Sequence, residues 1–209
     1  MGKHAKSVDS QLLGRIIAKR RGWVFTPADF LDLGSRIAVG LALMRHARAG
    51  TIRQLARGLY DYPIQHKSFG TIPPSDDRIA NALKGRDGTR IQASGAHAAN
   101  VLGISTQVPV RAVFLTDGRA RKIKLGKREI VLKNASSRQM ATAGRLSGTV
   151  IQALRWIGQR HVDDRMIASL RRTIADRDKQ QLLKDLRYAP AWIGEIMRNV
   201  AQPKKPEQT

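Results

Sequence analysis

The order of helix-length stretches and glycine stops in the first sixty-six residues constrains the fold most. Val8 to Arg21 carries Val8, Leu12, Leu13, Ile16 and Ile17 at helical spacing, with Lys19, Arg20 and Arg21 in the last turn, where cations suit the helix dipole. Gly22 ends it, and Trp23-Val24-Phe25 is a short β-prone run. Thr26-Pro27-Ala28-Asp29 then starts a short helix to about Leu33, with Thr as N-cap, Pro in the first turn and an acid beside it. Gly34 breaks that helix, Ser35 caps a third, and Gly50 supplies its left-handed stop. Thr51 to Leu55 and Leu59 to Tyr62 read as two strands around a loop containing Gly58, closed by Pro63.

Helix, short strand, helix, turn, helix, hairpin is the order of a winged helix-turn-helix, in which the third helix enters the major groove and the hairpin lies beside the backbone. Residues 1–66 are therefore expected to form one such domain. They hold eleven Lys and Arg against four Asp, the sign that phosphate contact needs. The whole chain is more basic still: 38 Lys and Arg against 16 Asp and Glu give a formal charge of +22. Such a surface seeks a polyanion. The 42% hydrophobic content is that of a folded chain rather than a disordered one. With no cysteine, disulfides, thiol nucleophiles and zinc fingers are excluded. The longest apolar run, Ile37 to Met44, is far short of the ~20 residues of a spanning helix, and nothing near Met1 resembles a signal peptide, so a cytoplasmic protein without membrane contact is expected.

Residues 67–74, rich in Pro, Ser and Gly, read as a linker, and 75–201 as a second domain. Asp76 to Leu83 looks helical, and Gly85-Arg86-Asp87-Gly88 is a turn. Ser94 caps a helix running to Leu102, which Gly103 ends. Arg111 to Leu115 alternates as a strand, and Arg121 to Leu125 with Glu129 to Lys133 form a basic hairpin around Gly126, giving a small sheet within 90–133. From 143 to 201 the pattern is helical: Ser147 to Gln159, Asp163 to Ile174, Asp178 to Tyr188 and Pro190 to Ala201. Residues 202–209 read as a disordered tail. The class is α+β, a winged helix-turn-helix followed by a mixed α/β domain ending in a bundle-like set of helices.

The N-terminal turn of the third helix presents Ser35, Arg36 and Gly40 to a groove, and Arg there can bind guanine at two points. Arg45 and Arg48 continue that helix, with Lys19, Arg20 and Arg21 as flanking phosphate contacts. Either Ile37, Leu41 and Met44 or Val39, Leu43 and His46 form its buried stripe; the sequence leaves its rotation open. Arg53 and Arg57 flank the supposed wing tip, where a cation meets phosphate or enters the minor groove, though a solvated hairpin reads equally from the sequence. Arg119, Arg121, Lys122, Lys124, Lys127, Arg128 and Lys133 form the densest basic run, fit for DNA, RNA, an acidic partner or plain solvation. The five histidines, His4, His46, His66, His97 and His161, lack metal spacing. Asp163, Asp164, Asp176 and Asp178 are the only dense acids, at helix starts rather than in a catalytic cluster, and no phosphate-binding loop or nucleophile elbow is present. No enzyme, cofactor or metal is expected.

Gly22-Trp23-Val24-Phe25-Thr26-Pro27, Arg48-Ala49-Gly50-Thr51-Ile52, Arg57-Gly58-Leu59-Tyr60 and Leu102-Gly103-Ile104-Ser105-Thr106-Gln107-Val108-Pro109 together resemble the AbiEi-like antitoxins of bacterial abortive-infection and type IV toxin-antitoxin systems. The resemblance implies a winged domain that represses its own promoter on the nucleoid. It also implies a C-terminal domain that helps counter a nucleotidyltransferase toxin encoded alongside; residues 75–201 are expected to serve a partner or self-association.

Overall fold

A computed structural model describes residues 7–84, 88–106 and 109–202 of this α+β protein. The expected turn at 85–88 lies mostly outside the described residues, as does nearly all of the expected tail. The chain divides into two compact units, Met1–Thr89 and Arg90–Thr209.

In the first unit, α1 (Val8–Ala18) is capped by Ser7, whose hydroxyl oxygen accepts from the Ser10 amide. β1 (Val24–Phe25) leads into a 3-10 turn, Pro27–Phe30, instead of a longer helix. The expected start is there: the Asp29 carboxylate accepts from the Thr26 amide at 2.8 Å, a capping box with Pro27 in the first turn. α2 spans Arg36–Arg48, and β2 (Arg53–Ala56) pairs antiparallel with β3 (Leu59–Asp61), which also pairs with β1. Leu12 and Ile16 of α1, Phe25, Phe30, Val39, Ala42 and Leu43 of α2, Ile52 and Tyr60 close one core. Phe25 meets Phe30 edge-on at 5.5 Å, the offset arrangement that ring quadrupoles favour.

The segment expected to be a linker is structured. β4 (Ile64–His66) pairs antiparallel with β5 (Gly70–Ile72), and α3 (Asp76–Leu83) packs against β1. Turn chemistry explains the misreading: three residues close the hairpin and Gly70 takes φ +66°, so the Gly content belongs to a tight loop, not a tether. The compact unit accordingly runs past both 66 and 75, to Thr89.

In the second unit, β6 (Ile91–Ser94), β7 (Arg111–Thr116), β8 (Arg121–Leu125) and β9 (Arg128–Asn134) form a sheet in the order β6-β7-β9-β8. The β8–β9 hairpin docks so that β9 runs parallel to β7, with Phe114 opposite Leu132, leaving β8 at the edge. α4 (Gly95–Val101) and α5 (Leu146–Ile157) pack with α6 (Asp164–Thr173), α7 (Asp176–Lys184) and α8 (Ala191–Ala201) around Leu154, Leu170, Leu182, Ile193 and Met197. Asp185, 2% exposed, is satisfied inside this unit by Arg145 at 2.7 Å, Ser147 at 2.5 Å and Gln181 at 3.0 Å. A buried carboxylate persists only when paired and hydrogen-bonded in this way.

Candidate nucleic-acid interface

Helix α2 is positioned by its caps and its core stripe. The Ser35 hydroxyl oxygen accepts from the Ala38 amide at 3.2 Å, and Gly50, at φ +71°, ends the helix. Val39, Ala42 and Leu43 are fully buried, which fixes the rotation that the sequence leaves open. Ile37 is 76% exposed, Leu41 50% and Met44 38%, so the alternative stripe faces solvent. Arg36, Arg45 and Arg48 are exposed on the same helix. Gly40 lies between them, with nothing within 4 Å of where a Cβ would stand, so another molecule's backbone can approach closely there.

The remaining expected cations divide into two groups. Arg57 is exposed in the β2–β3 turn, and Lys19 and Arg20 are exposed at the end of α1. Arg53 is engaged within the fold. Its guanidinium donates to both carboxylate oxygens of Asp61, at 3.0 and 2.6 Å, and Asp61 is only 1% exposed. The cross-strand register sets Arg53 opposite Asp61, so its charge neutralises a buried acid. Arg21 is tied likewise: it donates to the Pro63 carbonyl at 2.9 Å and lies over the Tyr62 ring. Arg45 is shared with Asp9 of α1 at 3.0 Å, a partner His46 also approaches at 3.4 Å. At 64% side-chain exposure, that pair is of the surface kind worth about 0–1 kcal/mol, weak enough for a phosphate to displace.

The sequence gives no hint of a groove of about 860 Å³ beside α2, lined by Gly40, Met44 and Arg48 of the helix, Gln54 of β2, and Gln65 and Thr71 of the β4–β5 hairpin. No carboxylate lines it. Gly70 followed by Ile72, with Ile64 and His66 before it, is the one signal that could have revealed the hairpin.

On the second unit, Arg119, Arg121, Lys122, Lys124 and Lys127 are exposed on or around edge strand β8, with Arg128 half-buried and Lys133 exposed on β9. Glu129, opposite Lys124, is already bound to Arg111 at 2.8 Å. Lys122 and Lys124 share one side of the strand, two residues or about 6.8 Å apart. At the start of the sheet Arg90 grips Asp117 through its guanidinium and its amide, both at 2.7 Å, and these hydrogen bonds hold the Asp117 carboxyl below the usual range.

The acids weighed as catalytic are placed at helix starts. Asp163 caps α6 by accepting from the Met166 amide at 2.8 Å, Asp164 and Asp178 lie in first turns, and Asp176 pairs with Lys179 at 2.8 Å. Among the described residues there is no group of three or more metal-ligating side chains, and no helix is long and apolar enough to cross a membrane. Neither the curated proteins nor the solved structures yield a match. A family profile does match, over residues 11–182, which takes in α2, both hairpins of the first unit and the basic strand β8. The chain therefore belongs to DUF6088, a family of unknown function.

Proposed function

We propose that this protein is a sequence-specific DNA-binding regulator, built on a winged helix-turn-helix with α2 as the recognition helix, and that it has no catalytic role and needs no cofactor. The observation that carries the reading is the outward face of α2. Arg36, Gly40 and Arg48 stand beside the exposed apolar side chains Ile37, Leu41 and Met44 on a helix whose opposite face is fully buried. A free-standing apolar stripe between arginines suits the major groove, where thymine methyls offer apolar contact and guanine offers two acceptors to one guanidinium. Arg57, Lys19 and Arg20 supply phosphate contacts that fix register without reading sequence.

Following the AbiEi-like resemblance, the DNA is the protein's own promoter, and the second unit counters a nucleotidyltransferase toxin or self-associates. That arm requires a nucleotidyltransferase reading frame beside this one whose growth arrest the protein relieves on coexpression. A neighbour of other chemistry leaves a stand-alone regulator. The basic strand β8 favours one rival, an RNA-binding protein. Competition decides between them: unlabelled duplex should displace labelled upstream duplex, while single-stranded RNA of equal length should fail to do so. Displacement by RNA at equal or lower concentration refutes the DNA reading.

A further inference from the structure

We infer that the β4–β5 hairpin is a DNA-inserting element and that Phe69 at its tip wedges into a base step, an inference that rests on the DNA-binding reading above. Phe69 is 81% exposed, the most exposed large apolar side chain among the described residues. Such a ring in water forfeits the stabilisation that burial would give, and the turn that carries it is held by hydrogen bonds. The His66 Nδ1 accepts from the Ser68 amide at 3.2 Å and the Phe69 amide at 3.3 Å, and the His66 ring lies 4.8 Å from the Phe69 ring. Behind the tip, the Thr71 hydroxyl donates to Gln65 at 3.0 Å across the strand pair, and Gly70, opposite His66, closes the turn at φ +66°. At the hairpin's base, Arg53 donates to the Ile72 carbonyl at 3.4 Å. The tip is thus a narrow, preorganised ribbon that displays one aromatic ring.

Its surroundings identify the partner chemistry. Apart from the His66 ring, the Phe69 ring stands among Lys67 and Ser68 rather than in the contiguous apolar patch a protein partner would cover. The same hairpin, through Gln65 and Thr71, walls the acid-free groove whose other side is α2. A duplex seated on α2 is the polyanion that complements this groove. Apolar side chains that enter the minor groove insert between base pairs and partly unstack one step, and an aromatic ring can also stack on an exposed base. The hairpin that the sequence reads as a linker, rather than the β2–β3 turn, then holds the wedge.

The test uses the full chain and duplexes of its own upstream DNA carrying 2-aminopurine at each adenine in turn, whose fluorescence rises when the base unstacks. Wild-type protein should brighten one position. F69A should abolish that signal and weaken binding by about tenfold, with an unchanged Tm because the ring is not in the core. F69L, which keeps an apolar wedge, should retain part of the signal. K67Q should keep all of it while making the log affinity against log salt plot shallower by roughly 0.9. If the wild type binds but no position brightens, or if F69A brightens as the wild type does, the insertion is refuted while DNA binding stands. A change in sedimentation of F69A without loss of the signal assigns the tip to self-association and overturns the inference. If the wild type binds no duplex, the DNA reading fails and the inference falls with it.

Discussion

Arg53 and Arg57 lie four positions apart in one hairpin, and both look like wing cations in the sequence, but Arg53 is bound to Asp61 while Arg57 is exposed. Arg57→Ala should weaken binding to upstream and random duplex equally and make the salt slope shallower by roughly 0.9, with an unchanged Tm. Arg53→Ala should instead leave the Asp61 carboxylate, 1% exposed, without its bidentate partner and destabilise the fold by about 2 kcal/mol, read from urea unfolding. Arg36→Ala should reduce discrimination between upstream and random DNA, because only a side chain that reaches base edges carries sequence information. Equal loss of discrimination in Arg36→Ala and Arg57→Ala would refute that division of labour. Both members of the Arg53–Asp61 pair are visible in the sequence, but the register that sets them opposite each other is not. The rotation of α2 was hidden for a related reason: its two stripes are comparably apolar, and only the three-dimensional core of Leu12, Ile16, Phe25 and Phe30 selects Val39 and Leu43.

Elements with strong punctuation were readable and elements held by tertiary pairing were not. Ser35 and Gly50 delimit α2 in the sequence and in the structure. Ser35→Ala should remove the hydroxyl acceptor of the Ala38 amide and destabilise the protein by about 1 kcal/mol, a loss that thermal unfolding would register. The β4–β5 hairpin escaped because each strand has only three residues, too few for alternation to show, and its Pro and Gly neighbours mimic a tether. The parallel pairing of β7 with β9 escaped because no local pattern encodes a crossover. The Arg90–Asp117 contact at the β6 end of the sheet gives a pH test. Asp117 has its folded pKa lowered, so its stabilising contribution is complete above the ordinary carboxylate value and is lost as pH falls through the lowered one. The urea midpoint of the wild type should therefore exceed that of Asp117→Asn near about pH 6, and the gap should narrow as the pH falls below the ordinary carboxylate value of about 3.9. A constant gap across that range would count against the contact.

The whole molecule carries +22 formal charges, and the four acids of residues 1–66, Asp9, Asp29, Asp32 and Asp61, each meet a partner within the first unit. The α+β class was legible because caps and turn residues act locally. The division at Thr89 was not, because it depends on where α3 packs. Charge alone would make any polyanion bind, so K122Q/K124Q should lower affinity for all duplexes without changing preference, whereas the α2 face should set preference. The most direct test of that claim is fluorescence anisotropy of the full chain on its own upstream DNA and on a scrambled duplex over a series of salt concentrations. The account predicts a preference for the upstream DNA of roughly a thousandfold or more that persists as salt rises. Equal affinities that fall together with salt would contradict it and leave a basic polyanion binder.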